Sequence, residues 1–309
     1  MNNKVYDVII IGGGPAGYSA GIYTARAMLK TLIITSFIIP TQVVLTDVIE
    51  NYPGFPEGIN GFDFIEKLKQ QAEKFGTEIL TGDVTKIEKF DNGFKISLSS
   101  SNDFFITNTV IIATGRKNKK LGIEDEEKFI GRGISYCAVC DGALYKNKTV
   151  AIIGGGNTAF TEAIFLTKYV KKLYIIHRRE QFRAIKILQQ QLLTKENVET
   201  ITPYVVEKII GENSFKGIIL KNVLDNTKKE LYCDGMFVCI GYKPNTEFLT
   251  GLVKMDEEGY IITDEKLQTS VEGIYACGDC REGSVKQIVN ACAEGVHAAL
   301  SVISYIQPY

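Results

Sequence analysis

The chain has no tryptophan, only two histidines and no excess of charge of either sign. Its 309 residues include 35 lysines and arginines against 36 acidic residues, which gives a net charge of −1. This balance offers no electrostatic reason to expect a nucleic acid or an anionic membrane as a partner. Apolar residues make up 45% and charged residues 23%, as in globular proteins with a sizeable core. The length allows two domains of ordinary size.

No hydrophobic run near the amino terminus is long enough to cross a membrane. The apolar stretch Val8–Ile11 is far shorter than the roughly 20 residues that a span needs, and it leads directly into a glycine turn. It also lacks the length and the small-residue cleavage site of a signal peptide. We therefore expect a cytoplasmic protein.

Seven cysteines are present, an odd number in a chain too large to need disulfide staples. Cys137/Cys140 and Cys277/Cys280 have CxxC spacing, but they are more than a hundred residues apart, unlike the pairs of a compact zinc site, so we expect no metal. A CxxC ahead of a βαβ unit favours redox work over a structural pair of free thiols. Asp141 is placed to exchange a proton with one of these thiols. For the second pair we expect packing.

Two glycine-rich turns flank the first CxxC pair: GGGPAG at 12–17, the first glycine turn, and GGGNTA at 154–159, the second. Each opens a predicted βαβ unit. The predicted elements are a strand at 5–11, a helix at 18–28 and a strand at 30–35, then a strand at 149–153, a helix at 157–169 and a strand at 172–177. In such units glycines allow a tight turn and a close approach of a pyrophosphate to the helix amino terminus. The alternative is a glycine turn without a ligand.

The residues after the second strand differ between the two units. In the first unit the second strand ends in Thr35-Ser36, without the acidic residue that usually binds ribose hydroxyls at this position. In the second unit His177, Arg178 and Arg179 follow, with Arg183 a turn further on. Guanidinium groups bind a 2′-phosphate, so this pattern favours NADPH over NADH, and we place His177 on the same binding face. The alternative is a basic helix start exposed to solvent, which would oppose the helix dipole.

Near the carboxyl terminus, Gly278-Asp279 precedes a long helix predicted from about Lys286. Asp279 fits a contact to the ribityl chain of a flavin. The helix start at Lys286-Gln287-Ile288 would direct its positive end towards the flavin pyrimidine and stabilise the charge of a reduced flavin. The alternative is an aspartate that merely caps a helix.

The glycine turns begin 142 residues apart (154 minus 12), which predicts one dinucleotide-binding domain inserted into another. The chain changes character near residue 117, and Lys243-Pro244-Asn245 marks a second crossing. We assign residues 1–116 and 246–309 to the outer domain and residues 117–245 to the inserted one, which carries Cys137/Cys140. Further predicted elements are a helix near 62–75 and strands at 78–90, 93–98, 104–112 and 273–276.

Together these residues resemble the low-molecular-weight thioredoxin reductases of bacteria and archaea over nearly the whole chain. The matching segments are GGGPAG at 12–17, Gln42, ENYPG at 50–54, ATG at 113–115, GRG at 131–133, CAVCDG at 137–142, GGGNTA at 154–159, HRREQFRA at 177–184, IGYKPNT at 240–246 and CGD at 277–279. The CxxCDG and HRRxxFRA segments are highly specific, whereas the glycine motifs only add to them.

The resemblance implies an α/β fold of two Rossmann-like domains of the three-layer ββα type. It implies FAD contacts at Gly12, Gly14, Pro15, Ala16, Gly17, Gln42, Asn51, Ala113, Gly115, Asp279, Lys286, Gln287 and Ile288. It implies NADPH contacts at Gly154, Gly156, Asn157, Thr158, His177, Arg178, Arg179, Arg183, Ile240 and Gly241. Cys140 would lie nearest the flavin, Cys137 would attack the disulfide of thioredoxin, and Asp141 would donate a proton. Such proteins form homodimers, and one domain rotates about two short strands, here near 116–118 and 243–246.

Three departures from that pattern stand out. Pro40-Thr41 replaces a Gly-Gly before the glutamine, Lys286-Gln287 replaces Arg-Gln, and Thr161-Glu162-Ala163 replaces Glu-Glu-Ala. The first two alter the predicted flavin site. None removes a group that the chemistry requires.

Several other functions remain as alternatives. A ferredoxin-dependent flavin thioredoxin reductase should lose the arginines, and a ferredoxin–NADP reductase would lack the dithiol. The flavoprotein of a peroxide-reducing system would need an additional amino-terminal thioredoxin-like region. A dithiol oxidase would use the same cysteines with oxygen. A redox-inert flavin-binding protein would leave both the CxxCD segment and the arginines unexplained.

Overall fold

The computed structural model describes residues 5–36, 41–46, 48–99 and 104–308. The chain folds as two compact units. The outer unit comprises Met1–Lys117 and Lys243–Tyr309, and the inserted unit comprises Asn118–Tyr242. Pro40, one of the departures noted in the sequence, lies outside the described residues.

The described strands are, in chain order, β1 (Val5–Ile11), β2 (Thr31–Thr35), β3 (Glu78–Thr81), β4 (Val84–Phe90), β5 (Gly93–Leu98), β6 (Phe104–Ile112), β7 (Arg116–Asn118), β8 (Ile134–Ser135), β9 (Thr149–Ile153), β10 (Lys172–Ile176), β11 (Val198–Ile201), β12 (Tyr204–Ile210), β13 (Gly217–Asn222), β14 (Lys228–Tyr232), β15 (Gly235–Val238), β16 (Tyr242–Pro244) and β17 (Ile274–Ala276). The α-helices are α1 (Pro15–Arg26), α2 (Gly61–Lys74), α3 (Glu126–Phe129), α4 (Ala138–Asp141), α5 (Asn157–Leu166), α6 (Lys186–Leu193) and α7 (Ile288–Ile306).

The outer unit is built on one sheet in the order β3-β2-β1-β6-β5-β4, with β17 also paired to β6. β1, β2, β3, β6 and β17 run parallel, and β5 and β4 continue the sheet antiparallel. Val8 and Ile10 of β1 share one core with the helices, whereas Ile9 and Ile11 enter a second core on the opposite face. Because both faces are covered, Val8–Ile11 of β1 form an apolar run without alternation.

The inserted unit has a parallel sheet in the order β11-β10-β9-β15-β8 and an antiparallel sheet in the order β12-β13-β14. Phe160 and Leu166 of α5 pack in the core on one side of the parallel sheet. Ile218 and Leu220 of β13 pack in the core on its other side. The layers are therefore helix, parallel sheet and antiparallel sheet. The predicted α/β class with Rossmann-like units is confirmed.

Most predicted elements are present, with shifted ends. β1 and β9 have the predicted bounds, but α1 begins at Pro15, because proline suits the first helical turn. The predicted strand at 78–90 is two strands, separated at Gly82-Asp83, because β3 pairs with β2 and β4 pairs with β5. α5 ends at Leu166, before residue 169, and α7 begins at Ile288, two residues after Lys286.

α7 is the one described helix with the length and composition to cross a membrane. Its residues Ala298, Ala299 and Val302 are fully buried in the core of the outer unit, which also contains α1 residues such as Ala20. One face of α7 therefore packs in the core of the outer unit.

The two crossings between the units form a small sheet of their own, in which β7 pairs with β16. Asn245 N–H donates to Gly115 O (3.0 Å), and Lys119 N–H donates to Gly241 O (2.9 Å). Gly115 and Gly241 both have positive φ, +62° and +112°, which glycine adopts without strain.

Candidate redox and nucleotide-binding sites

The first glycine turn joins β1 to α1, and its glycines have different roles. Gly12 has φ +121°, and a Cβ there would lie 2.2 Å from Ala113 O. A Cβ on Gly17 would lie 1.8 Å from Gly12 O. Gly14 is different, because its Cβ would meet only the Thr41 hydroxyl, at 3.4 Å. Protein atoms therefore require glycine at 12 and 17, whereas Gly14 faces space that a ligand can occupy.

The start of α1 is arranged for an anion. Gly14 is its N-cap and has no side chain to accept hydrogen bonds, and Pro15 begins the helix. The first-turn amide groups of a helix have no intrahelical partner and carry the positive end of its dipole. Ala16 also meets the carboxyl-terminal segment: a Cβ on Gly278 would lie 3.0 Å from Ala16 Cβ, and one on Gly295 would lie 2.1 Å from Ala16 O.

Several predicted flavin contacts gather around Arg116. Its Nε donates to Asp279 Oδ2 (2.9 Å) and its Nη2 forms an ion pair with the same oxygen (2.7 Å). Gln42 Nε2 donates to Arg116 O (2.6 Å). Lys286 Nζ donates to the carbonyl oxygens of Asp279 (3.1 Å) and Arg281 (2.9 Å). Arg116 was missed by the sequence analysis, although it directly follows the Ala-Thr-Gly segment.

The start of α7 lies close to Asn51, whose Nδ2 donates to Gln287 Oε1 (3.2 Å). Gln287 is the N-cap and makes no side-chain cap bond, and Ile288 is the first helical residue. Lys286 precedes the helix with φ +62°. Asp279 lies in a separate short turn, Gly278–Cys280. The alternative in which Asp279 merely caps this helix is therefore wrong.

Glu294 of α7, also missed by the sequence analysis, holds that short turn in place. The residue is 8% exposed, and its carboxylate accepts bonds from Gly278 N (2.7 Å) and Asn290 Nδ2 (2.7 Å). Arg281 donates to the same carboxylate in a bidentate pair, from Nε to Oε2 (2.8 Å) and from Nη2 to Oε1 (3.1 Å). One buried side chain thus holds the backbone before Asp279 and the Arg281 side chain after it.

The second glycine turn repeats this arrangement between β9 and α5. Gly154 has φ +153°, and its Cβ would lie 2.3 Å from Cys239 O, next to Ile240 and Gly241 at the end of β15. A Cβ on Gly156 would meet nothing within 4 Å, and Gly156 is the uncapped N-cap of α5. The next two residues, Asn157 and Thr158, are exposed. Space for a phosphate therefore lies at Gly156, as it does at Gly14 in the first turn.

A loop carrying the predicted phosphate-binding residues is fixed to this turn. Arg183 N and Ala184 N donate to Gly155 O (2.7 and 3.1 Å), and Ile185 N donates to Asn157 Oδ1 (2.9 Å). α6 begins only at Lys186. The alternative of a basic helix start is wrong, because the arginines occupy a loop.

Arg178, Arg179 and Arg183 are all exposed, and within the described ranges none of them forms an ion pair with an acidic side chain. They line an open cleft of about 530 Å³. Three guanidinium groups without carboxylate partners can bind an anion at the end of β10.

His177 does not share their exposed face, which corrects its predicted position. The residue is 6% exposed, and its ring stacks on Phe182 with the centroids 5.6 Å apart. The ring also lies against Gly155, where a Cβ would come within 2.6 Å of it. Burial, followed by the charge of Arg183, lowers the pKa of His177. A neutral imidazole therefore supports the turn from beneath.

Cys137 and Cys140 form a disulfide with Cα atoms 5.4 Å apart. Cys137 is the N-cap of the single-turn helix α4, and Cys140 N donates to Cys137 Sγ (3.0 Å). Cys140 is exposed, whereas Cys137 is 9% exposed. Asp141 ends the same turn, with its N–H donating to Cys137 O (3.2 Å). Both sulfur atoms and the candidate proton donor are therefore held in one short element.

Glu162 connects this turn to α5. Its Oε2 accepts bonds from Ala138 N (3.2 Å) and from the thiol of Cys239 (3.2 Å). Burial raises the pKa of the Glu162 carboxyl. The sequence marked this position only as part of a motif departure.

The second CxxC pair is not bonded. Cys277 and Cys280 are free thiols without any exposure, and burial raises the pKa of both. Cys280 Sγ contacts the carbonyl oxygens of Cys277 (3.3 Å) and Ile112 (3.5 Å). They pack, as expected.

A family model described as pyridine nucleotide-disulphide oxidoreductase matches residues 6–295. A thioredoxin reductase of Rickettsia prowazekii is 40% identical over 303 residues, or 97% of each chain. The solved thioredoxin reductase of Lactococcus lactis has a TM-score of 0.89 and 40% identity, covering 97% of this chain and 99% of that one.

A ferredoxin–flavin thioredoxin reductase of Clostridium acetobutylicum is also similar, with a TM-score of 0.54 and 31% identity over 99% of each chain. The family match extends over both units, and the relatives are matched over nearly their full lengths. The chain therefore belongs to the pyridine nucleotide–disulphide oxidoreductase family and, within it, to the thioredoxin reductases.

Proposed function

We propose that the chain reduces the disulfide of thioredoxin with electrons from NADPH, by way of FAD and the Cys137/Cys140 pair. The family makes it an oxidoreductase acting on a disulfide; the two cofactors and the protein substrate are the proposal. One observation supports this proposal above all. The inserted unit contains both the disulfide and the three arginines that form no ion pair with a described acidic side chain, and these arginines lie beside the open glycine turn.

FAD is assigned to the outer unit. The amide groups at the start of α1 and the open space at Gly14 suit its pyrophosphate. Asp279 and Gln42, which are both hydrogen-bonded to Arg116, are placed to contact the ribityl chain of FAD. The positive end of α7 is suited to the pyrimidine part of the flavin ring. When bound, FAD accepts two electrons from the nicotinamide and passes them to a disulfide.

NADPH is assigned to the inserted unit. Its pyrophosphate fits the space at Gly156, and its 2′-phosphate fits the exposed guanidinium groups of Arg178, Arg179 and Arg183. This cluster favours NADPH over ferredoxin as the electron donor, because a ferredoxin-dependent enzyme has no use for a 2′-phosphate site.

The cysteines then transfer the electrons by thiol–disulfide exchange. The Cys137 thiolate attacks one sulfur of the thioredoxin disulfide, which forms a mixed disulfide and releases a thioredoxin thiolate. Asp141 donates a proton to that thiolate. The Cys140 thiol then attacks Cys137 Sγ and gives its proton to the departing thioredoxin sulfur, which restores the enzyme disulfide and frees reduced thioredoxin. A homodimer and a cytoplasmic location stay predictions.

The test is a coupled assay with purified thioredoxin, in which NADPH, NADH and reduced ferredoxin are compared as donors. We expect NADPH to support turnover at least tenfold better than either alternative. The variant Arg178→Gln/Arg179→Gln should lose most of the preference for NADPH over NADH. Turnover with ferredoxin alone would show that the donor is wrong, and an unchanged NADPH/NADH ratio in the double variant would remove the arginines from the site.

A further inference from the structure

The cleft beside the arginines has two walls of opposite chemistry. Arg178, Arg179 and Arg183 line one side, with Glu180 as the acidic residue among them, and Pro203, Val223 and Leu224 supply an apolar side. Its volume of about 530 Å³ is typical of small-molecule pockets and far exceeds what a phosphate group needs. The cleft is therefore suited to a larger ligand that joins an anionic group to an apolar one.

The apolar wall is formed by the tip of the β13–β14 hairpin. Leu224 is 71% exposed and Val223 is 42% exposed. Single exposed apolar side chains are common on protein surfaces, but two adjacent ones that line a cleft opposite a charged cluster favour a binding role.

This hairpin tip is held firmly. Leu224 N donates to Asn222 Oδ1 (2.8 Å), and Val223 N donates to Pro203 O (3.0 Å). Tyr204 N, next to that proline, donates to His177 O (3.0 Å), at the residue that precedes the arginines. Both walls are thus anchored at the end of β10, and the cleft does not need to be ordered by its ligand.

We propose that Leu224, with Val223 and Pro203, forms the surface on which the adenine ring of NADPH packs. This inference rests on the proposed function and deepens it. In a βαβ unit the segment after the second strand faces the adenosine ribose, so a 2′-phosphate on the arginines places the attached base within the same cleft. The apolar wall then sets affinity for the adenosine half in general, and the arginines set the preference for the phosphorylated form.

The two contributions separate in a binding experiment on the FAD-loaded full chain. Leu224→Ser removes most of the apolar contact, and we expect the affinity for 2′,5′-ADP and for 5′-AMP, measured by calorimetry, to fall by the same factor of about five, or about 1 kcal/mol. The KM for NADPH and for NADH should rise by that factor, with their ratio unchanged. Arg178→Gln should weaken only the 2′-phosphorylated ligands.

Two further variants control this experiment. Leu224→Met should restore the affinity, because methionine keeps an apolar surface of similar volume. Leu193→Ser removes a leucine that is 43% exposed at the end of α6, outside the lining of the cleft. This variant should change the affinity for neither ligand. Circular dichroism and thermal unfolding establish that each variant is folded.

The proposal is overturned if Leu224→Ser binds both nucleotides as tightly as the parent, or if only the 2′-phosphorylated ligand is affected. It is also overturned if the variant changes the sedimentation coefficient while nucleotide affinity stays the same, since the hairpin tip would then be a contact between copies of the chain. Failure of NADPH-driven thioredoxin reduction would contradict the proposed function. The calorimetric result would still test the apolar wall.

Discussion

A methyl group added at Gly156 should separate nucleotide binding from folding. Gly156 has φ −100° and ψ −179°, an extended conformation open to any residue, and a Cβ there meets no described atom within 4 Å. Gly156→Ala should therefore change the free energy of unfolding by less than about 1 kcal/mol, because the restricted unfolded chain of alanine (about 0.4–1 kcal/mol) offsets its poorer fit to the N-cap position of α5. The methyl would occupy the space assigned to the pyrophosphate, so we expect the KM for NADPH to rise at least tenfold, or about 1.4 kcal/mol.

Gly154→Ala is the matched control, two residues earlier in the same turn. Its φ is +153°, and a Cβ would lie 2.3 Å from Cys239 O, a backbone atom that cannot move aside. We expect this variant to lose about 1–3 kcal/mol of unfolding free energy, or more, from strain and steric overlap.

Urea unfolding at constant FAD and a titration with NADPH measure the two effects. The reasoning is refuted if Gly156→Ala is destabilised as strongly as Gly154→Ala, since glycine at position 156 would then be required by the packing of the protein itself. It is refuted equally if Gly156→Ala binds NADPH with the affinity of the parent, since the open space would then not be where the phosphate binds.

Three other predictions concern separate parts of the chain. Cys140→Ser should keep the bleaching of the flavin by NADPH but lose thioredoxin reduction, and retained turnover would contradict the role of Cys140. Because His177 has a pKa below its usual 6.5, the unfolded chain takes up a proton on this residue at a higher pH than the folded chain does. The contribution of His177 to stability should therefore be constant above about pH 6.5 and fall below it. His177→Gln should flatten that slope between pH 7.5 and 5.5 in urea unfolding, and an unaltered slope would assign the proton uptake to other groups. Glu294→Ala leaves the Arg281 guanidinium without its carboxylate, so the free energy of unfolding should fall by about 3 kcal/mol and FAD should be released faster. Glu282→Ala, at an exposed neighbouring position, is the control. Equal stability and equal FAD release in the two variants would show that Glu294 does not support the site.

The parts that the sequence predicted are those encoded locally. β1 and β9 each close with an apolar run that leads into glycine, so both the strand and the turn can be identified within a dozen residues. The CxxC pair is local in the same sense, because three residues of separation already bring two sulfur atoms within bonding reach. The glycine turns and the disulfide can therefore be located from short stretches of sequence alone.

The parts that were missed depend on contacts between distant residues. Arg116 and Asp279 are 163 positions apart, and no local pattern indicates that they form an ion pair. His177 was assigned to the binding face because it is adjacent to Arg178 in sequence. It follows directly on β10, and its ring faces the interior while the next side chains face solvent. Adjacency along a chain does not show which side chains share a surface.

The small sheet formed by β7 and β16 has a consequence for protein engineering. Lys119 bonds to Gly241 and Asn245 bonds to Gly115, so the two strands run in opposite directions with their ends side by side. Neighbouring strands are about 4.8 Å apart, a gap that a two-residue hairpin turn closes. Residues 119–241 should thus be removable as a block and replaceable by an Asn-Gly turn, leaving a continuous outer unit that lacks the Cys137/Cys140 pair. The excised segment, with its two ends adjacent, could equally be grafted into a loop of an unrelated host.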